Sequence, residues 1–410
     1  MEKMNSKERI IAAIKNQEVD YIPLGQLFHS TILETPKDKQ WKNQFERAKV
    51  MKELGLDPLI DIWMPAPEAP PEIPVRKWME DDLDSPHKLL CAAYETPAGT
   101  LTTKVQRTDA DWYETTHYKF LPQWDGHAHR RIDEYDRIDM MDDYFTRRFK
   151  DPLVTGPQDL DAFEYLLKPP SGGYRDLWIK QAKEAKRIAD QLGVATQARR
   201  VAVGDWFMWV AWIEDFCIQM IDEPDYVDRF YTIINNYNKE IVEMVIEAEV
   251  ADIIQYRGWY DTPDYWGTDR YKNILAPRIS ELGQKIHDGG SLFCVLLTEG
   301  YTHYKDILAN MDVDVYLGLE PLAARKSEDF AAVKSALGTD HCIWGGVNAC
   351  VTVGMGRDDE IDEAVKNALE TLGPKGLILN AAMYFYDDDV TWERFMYFVN
   401  AWKKYAKVKG

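Results

Sequence analysis

Two glutamates, Glu299 in TEG (298–300) and Glu320 in GLEP (318–321), each follow an apolar run that reads as a strand. Carboxylates so placed can bind a metal ion, or share a proton so that one acts as a general acid. Adjacent strands lie about 4.8 Å apart, so the two could converge. The competing reading is that each caps the next helix, because acidic side chains favour helix N-termini. His303, in EGYTH, and His341 are candidate partners in a metal site with Glu299 and Glu320, although His341 starts its strand, at the other end from the glutamates. Tyr256, Arg257, Trp259 and Tyr260 end an earlier strand. Tyr256 or Tyr260 could donate a proton, and Arg257 could pair with a substrate carboxylate or with one of the chain's own acids. Asn348 and Asn380 end the last two strands; either amide could hold a substrate oxygen or serve a turn. In GDWFMWVAW (204–212), Trp206, Phe207 and Met208 suit a flat aromatic substrate, with core packing as the alternative. His29, after the first strand, is a further candidate substrate contact, and His127 and His129 are a weaker metal pair.

Other chemistries lack their residues. There is no Gly-rich phosphate loop in a strand–helix context and no Cys-x-x-Cys pair. The 5 cysteines are scattered, which suits a reducing compartment better than a disulfide framework. With 49 Lys and Arg against 69 Asp and Glu, the net charge of -20 disfavours nucleic acid as a partner. No apolar run approaches the roughly 20 residues of a membrane span, and the start has no apolar signal core. A cytoplasmic protein without a membrane partner is expected.

The elements that must position these residues alternate. Asn5 and Glu8 form a capping box for a first helix whose apolar face is Ile10, Ile11 and Ile14. Strands are expected at 22–28, 58–63, about 197–203, 251–258, 291–297, 313–319, 341–348 and 376–382, with helices between them at 40–54, 225–248, 269–288, 303–311, 327–336 and 359–372 and a last one at 391–406. Strand–helix alternation means a parallel sheet, and eight strands match a (β/α)8 barrel, whose chemistry sits at the C-terminal ends of the strands. The predicted fold is thus α/β: one TIM barrel spanning 1–410, with an N-terminal helical extension and a long insertion, 64–170, after the second strand. The insertion contains a hairpin-like segment turning at Pro97-Ala98-Gly99 and is expected to act as a lid or partner-docking element.

Several segments resemble the uroporphyrinogen decarboxylase superfamily. SKERIIAAIKNQEVDYIPLG, LGLD (54–57), ETPAGTLTT (95–103) and GPQDLDAFEYLLKPP (156–170) are similar to its successive stretches, and WGGVNACVTVGMGRDDEIDEAVKNALETLGPKGLILNAAMY (344–384) carries the strongest likeness. The matches run over nearly the whole chain, with 104–155 poorly covered. The resemblance implies one of three activities. The decarboxylases carry an Arg-rich motif after the first strand, where this chain has GQLFHSTILETP (25–36). The zinc thiol methyltransferases carry His-x-Cys and a later Cys, where this chain has Leu297-Thr298-Glu299 and Asn380-Ala381-Ala382. The remaining likeness is to the methyltransferase I component of corrinoid-dependent O-demethylases. Glu320 and His341 match the spacing of part of a metal motif proposed for these enzymes, but its upstream Glu falls on Lys305.

The resemblance therefore implies transfer of a methyl group from a small methoxylated compound, such as an aryl methyl ether, to the Co(I) corrinoid of a separate protein, with zinc as a possible aid. A phenol has a pKa of about 10, so its oxide leaves poorly at neutral pH unless protonated or bound to a Lewis acid. Rival readings are a methylamine-type donor, a carboxylate-based barrel hydrolase such as a glycosidase, and a barrel that only docks a corrinoid protein. A homodimer is among the expected assemblies.

Overall fold

The computed structural model describes residues 3–27, 34–64, 69–106, 149–321, 328–381 and 390–406. Among them the strands, in chain order, are β1 (Leu59–Trp63), β2 (Val75–Asp81), β3 (Lys88–Thr96), β4 (Gly99–Gln106), β5 (Phe149–Asp151), β6 (Ala195–Val201), β7 (Ile253–Gly258), β8 (Leu292–Leu297), β9 (Val315–Leu317), β10 (Cys342–Val347) and β11 (Leu377–Ala381). Seven form one parallel sheet in the order β1-β6-β7-β8-β9-β10-β11. Spatial order follows chain order, and helices cover the connections from β6 onward, as strand–helix alternation requires.

The expected first strand is much shorter than its sequence suggests. Among the described residues of that stretch, Leu24 alone bridges, to Leu379 of β11. Gly25 N donates to Leu379 O (3.0 Å), and Leu379 N donates to Pro23 O (2.9 Å). On the other side Leu24 O accepts from Asp57 N (3.0 Å), just before β1. Pro23 has no N–H to extend the ladder. Side chains continue the attachment: Gln26 Oε1 accepts from Ala381 N (2.9 Å), and Trp344 Nε1 donates to Gly25 O (2.8 Å). The segment is thus bonded to both edges of the seven-stranded arc. Gly25 is needed there, since a Cβ would stand 2.7 Å from Ile378 Cγ2.

Alternation along the strands divides the apolar residues into two cores. Leu59, Ala195, Ile253, Cys294, Val315 and Trp344 point to an inner core, which Ile10, Ala13 and Ile14 of the first helix (Ser6–Ile14) join at the N-terminal ends of the strands. The capping box of that helix is present, with Glu8 N donating to Asn5 Oδ1 (3.0 Å) and Asn5 N to Glu8 Oε2 (2.8 Å). The intervening residues, such as Ile60, Ile254, Val295 and Ile343, pack outward beneath the helices.

Two expectations need correction. The helix expected at 269–288 is broken: a helix at Pro263–Arg270 runs into a π turn at Tyr271–Leu275 and then a helix at Ala276–Asp288. Pro277 explains the break, because proline is tolerated in a first turn but not in a helix interior. Within 64–170 lies an antiparallel sheet, β2-β3-β4-β5, rather than one isolated hairpin. The predicted turn is there: β3 and β4 pair from Thr96↔Gly99 onward. This block leaves the seven-stranded sheet at the C-terminal end of β1. His117, His127 and His129 lie outside the described residues.

Candidate active site

Glu320 stands just past β9. Gly318, at φ 115°, bends the chain there, and Leu319 O accepts from Gly346 N of β10 (2.7 Å). Gly345 makes that approach possible, since a Cβ would meet Leu319 O at 2.2 Å. The contact brings Glu320 beside Asn348, whose side chain hydrogen-bonds to it. Asn348 Oδ1 is meanwhile held by Val351 N (2.6 Å), at the start of a π turn over Ala349–Gly354. Glu320 Oε2 is buried without a hydrogen-bond partner. Burial pushes the Glu320 carboxyl up to about 7; the nearby Glu328 adds to the rise and the Asn348 bond opposes it. Near pH 7 the group is divided between acid and carboxylate.

Glu299 follows β8, the neighbour of β9, so both glutamates occupy the C-terminal face on adjacent strands. The helix after Glu299 (Tyr301–Leu308) is capped from elsewhere. Glu328 Oε1 accepts from Gly300 N (2.8 Å) and Tyr301 N (3.0 Å), and its Oε2 accepts from Thr302 N (2.6 Å). The helix-cap reading of Glu299 therefore fails at these amides. Sequence reasoning missed Glu328, and its place before an apolar helix was the only signal available.

The residues after β7 are arranged around two acids that the sequence did not single out as functional. Asp205 is fully buried and ion-pairs with Arg257. It also accepts from Tyr260 N (2.6 Å) and Trp259 N (3.2 Å). The Arg257 guanidinium lies 5.1 Å from the Trp209 ring and 5.2 Å from the Trp259 ring, so its orientation is fixed from several sides. Tyr256 points the other way, into the outer core. Its hydroxyl donates to Asp261 Oδ2 (2.6 Å) and accepts from Gly204 N (3.2 Å). Burial pushes the Asp261 carboxyl far above the carboxylate range, and Asp205 adds to it. The expectation that Tyr256 donates a proton at the barrel mouth is corrected: two-residue alternation turns it away from the inner face that Arg257 shares.

That inner face carries a polar layer above the apolar one. Asp61, Gln197, Arg199 and Gln255 stand two or four residues after the inner-core residues Leu59, Ala195 and Ile253. Arg199 Nε donates to Gln255 Oε1 (2.8 Å), and its guanidinium stands 3.4 Å from Asp61 Oδ2. Asn380 occupies the same face of β11 and is fully buried, so it is a wall residue rather than a turn residue. The period-two pattern of LIDIW, TQAR and IIQYRG was the available signal for this layer, because polar residues inside apolar strands must share a face.

The remaining candidates separate. Trp206 and Phe207 are fully buried. Trp206 packs edge-on against Phe163, Trp209 and Tyr237, and Phe207 stacks on Phe216 at 5.5 Å. They are core residues and not a stacking platform; Met208 is half-buried and packs against the same core. Residues 204–210 fold as a helical turn under two longer helices, which gives the aromatics their buried face. Trp259 is half-buried against the inner core and Tyr260 against the outer one. His341 lies at the N-terminal end of β10, with Nδ1 2.7 Å from Val313 O, whereas Glu320 follows the C-terminal end of β9. His303 is exposed on the helix surface, with Nε2 2.7 Å from Thr268 Oγ1. His29 lies outside the described residues. Among the described residues no three His, Cys, Asp or Glu side chains gather as a metal site, so the set Glu299, Glu320, His303 and His341 does not assemble.

Residues 210–405 match the uroporphyrinogen decarboxylase (URO-D) family model. The match includes Glu299, Glu320, Asn348 and Asn380, and takes in the stretch 344–384 that carries the strongest likeness to that superfamily. No curated protein matches the chain. A methyltransferase from Methanosarcina mazei shares 15% identity, with 98% of this chain and 99% of that one covered at a TM-score of 0.59. That likeness is one of fold, over essentially the full length of both chains. A B12-independent methionine synthase from Shewanella sp. W3-18-1 is 14% identical over 55% of this chain and 65% of that one, at a TM-score of 0.37. Among the described residues, no helix is long and apolar enough to cross a membrane.

Proposed function

We propose that this protein is a methyltransferase that removes the methyl group of a small methoxylated compound, an aryl methyl ether, and delivers it to the Co(I) corrinoid of a partner protein. The observation that carries the reading is Glu320: a carboxyl at the C-terminal face, held by Asn348, raised to about 7, with its second oxygen buried and unpartnered. The fold likeness to a methyltransferase over the full chain supports the class of reaction. On this reading the seven-stranded arc and the Leu24 segment are the eight staves of a (β/α)8 barrel, and 64–170 is its lid or docking element.

The corrinoid, brought by its own protein, supplies the nucleophile that accepts the methyl group. The chain's residues do the rest. Glu320 in its acid form gives its proton to the ether oxygen as the carbon–oxygen bond breaks, so that a neutral phenol leaves and a carboxylate remains. Asn348 orients the carboxyl, and its hydrogen bond stabilises the carboxylate that results. Arg257, fixed by Asp205, directs charge toward a carboxylate on the substrate ring. Zinc remains a candidate aid, but the described ligand set does not hold it and no step is written through it.

The test is anaerobic methyl transfer to free Co(I) cobalamin by protein of measured zinc content, with methoxybenzoates, methoxyphenols and methylamines as donors. Methylcobalamin from an aryl ether is expected. Transfer only from amines would move the substrate; no transfer from any donor, with sugar release from aryl glycosides instead, would replace the reading by the hydrolase.

A further inference from the structure

The π turn at Ala349–Gly354 is held from outside, by a residue of the last helix (Trp392–Tyr405). Its own bonds run five residues back, from Val353 N to Asn348 O (3.1 Å) and from Met355 N to Cys350 O (3.0 Å). Such turns are rare and gather at functional sites. The end of a helical turn also leaves carbonyls without helical donors. Arg394 supplies donors here. Its Nε donates to Val353 O (2.9 Å), one terminal nitrogen donates to Gly356 O, and the other donates to Asp358 Oδ1 (2.6 Å). All three nitrogens of the guanidinium are thus engaged. Arg394 stands in the first turn of its own helix, where Thr391 Oγ1 accepts from Arg394 N (3.3 Å). The helix dipole disfavours a cation at that end. Helix formation therefore does not account for an arginine at this position; its bonds to the π turn do. The turn begins at Asn348, whose side chain accepts from Val351 N (2.6 Å) and bonds to Glu320. A continuous path of hydrogen bonds and one short turn leads from Arg394 to Glu320.

We propose that Arg394 is a positioning residue for methyl transfer: by fixing the π turn it holds Asn348 at the angle from which the amide meets Glu320. The planar fork of arginine suits two carbonyls at a fixed separation, which a lysine ammonium does not reproduce. The consequence for rate rests on Glu320 as the proton donor; the consequence for the Asn348–Glu320 bond does not. That bond favours the carboxylate, so loosening it makes Glu320 keep its proton to higher pH. Glu328 and Glu299, the acids at the same face, are unaltered in every variant below.

Isotope-labelled glutamate carboxyls, followed by NMR in the full chain, read Glu320 directly, as the resonance that titrates near 7 and is missing from Glu320→Gln. Arg394→Gln should raise its midpoint by about 1 pH unit, the worth of one hydrogen bond to a carboxylate. The same change made in the Asn348→Ala background should add no shift, because the two residues act in one path. Arg394→Lys, which keeps the charge without the fork, should still raise the midpoint, by less. Arg187→Gln, at an exposed arginine elsewhere, should leave it where it was. In methyl transfer, the pH at which the rate falls should rise in Arg394→Gln by the same amount as the midpoint. A raised midpoint in a protein that transfers no methyl group would sustain the role of Arg394 and sink Glu320 as proton donor. An unmoved midpoint in Arg394→Gln, the parent midpoint in Arg394→Lys, or an equal shift in the Asn348→Ala background would overturn the proposal.

Discussion

Glu320 makes the account sensitive to pH at a single atom. Its folded pKa is raised, so the proton-donating form prevails below about 7 and is lost as pH climbs through that value. Methyl transfer should therefore be level on the acid side and fall about tenfold per pH unit well above 7. The same shift has a stability consequence: the group's contribution is fully present below its unfolded pKa and lost as pH rises through the folded one. Glu320→Gln should accordingly melt higher than the parent at pH 8.5 and show no such gain at pH 4.5, measured by thermal unfolding at both values. At Tyr256 the expectation is the reverse of a catalytic one. Tyr256→Phe removes the bond to Asp261 and should cost about 1–3 kcal/mol in denaturant titration while the rate per folded molecule holds. Asp205→Ala removes the buried partner of the half-buried Arg257 and the acceptor of Tyr260 N and Trp259 N, and should cost about 1–3 kcal/mol. Sequence reasoning placed Glu299, Glu320 and Asn348 at the ends of β8, β9 and β10 because strand ends can be read from apolar runs. It misassigned Trp206 and Phe207 because an aromatic run looks the same whether a substrate or a helix covers it.

Elements decide which of these side chains can meet. Glu320 reaches Asn348 because the chain after β9 presses on β10 at Gly345. Gly345→Ala would drive a Cβ into Leu319 O, and should lower both stability and methyl transfer. An exposed substitution such as Lys272→Ala would move neither. Most elements were legible: capping signals, three-to-four periodicity and apolar runs placed helices and strands to within a few residues. The π turn at Tyr271–Leu275 was not, because nothing in the spacing of Tyr271, Ile274 and Ile279 separates a wide turn from a regular one. The short first strand was also hidden. Its sequence alternates well enough, but its pairing depends on Pro23 and on a tryptophan 319 positions away.

At the scale of the whole molecule, the first helix covers the N-terminal ends of the seven-stranded sheet, opposite the end at which Glu299 and Glu320 stand. The placing of both glutamates at that end was readable, since each follows an apolar run that reads as a strand. The inward polar layer of Asp61, Gln197, Arg199 and Gln255 was readable in principle, but only once each strand's inner face was known. The central claim is that Glu320 supplies the proton that lets a methoxyl oxygen leave. Its most direct test is single-turnover transfer from a methoxybenzoate to Co(I) cobalamin at pH 6.5 by the parent and Glu320→Gln. The account predicts a rate about 10²–10⁴-fold lower in the variant, with folding intact. An unchanged rate in Glu320→Gln would contradict it.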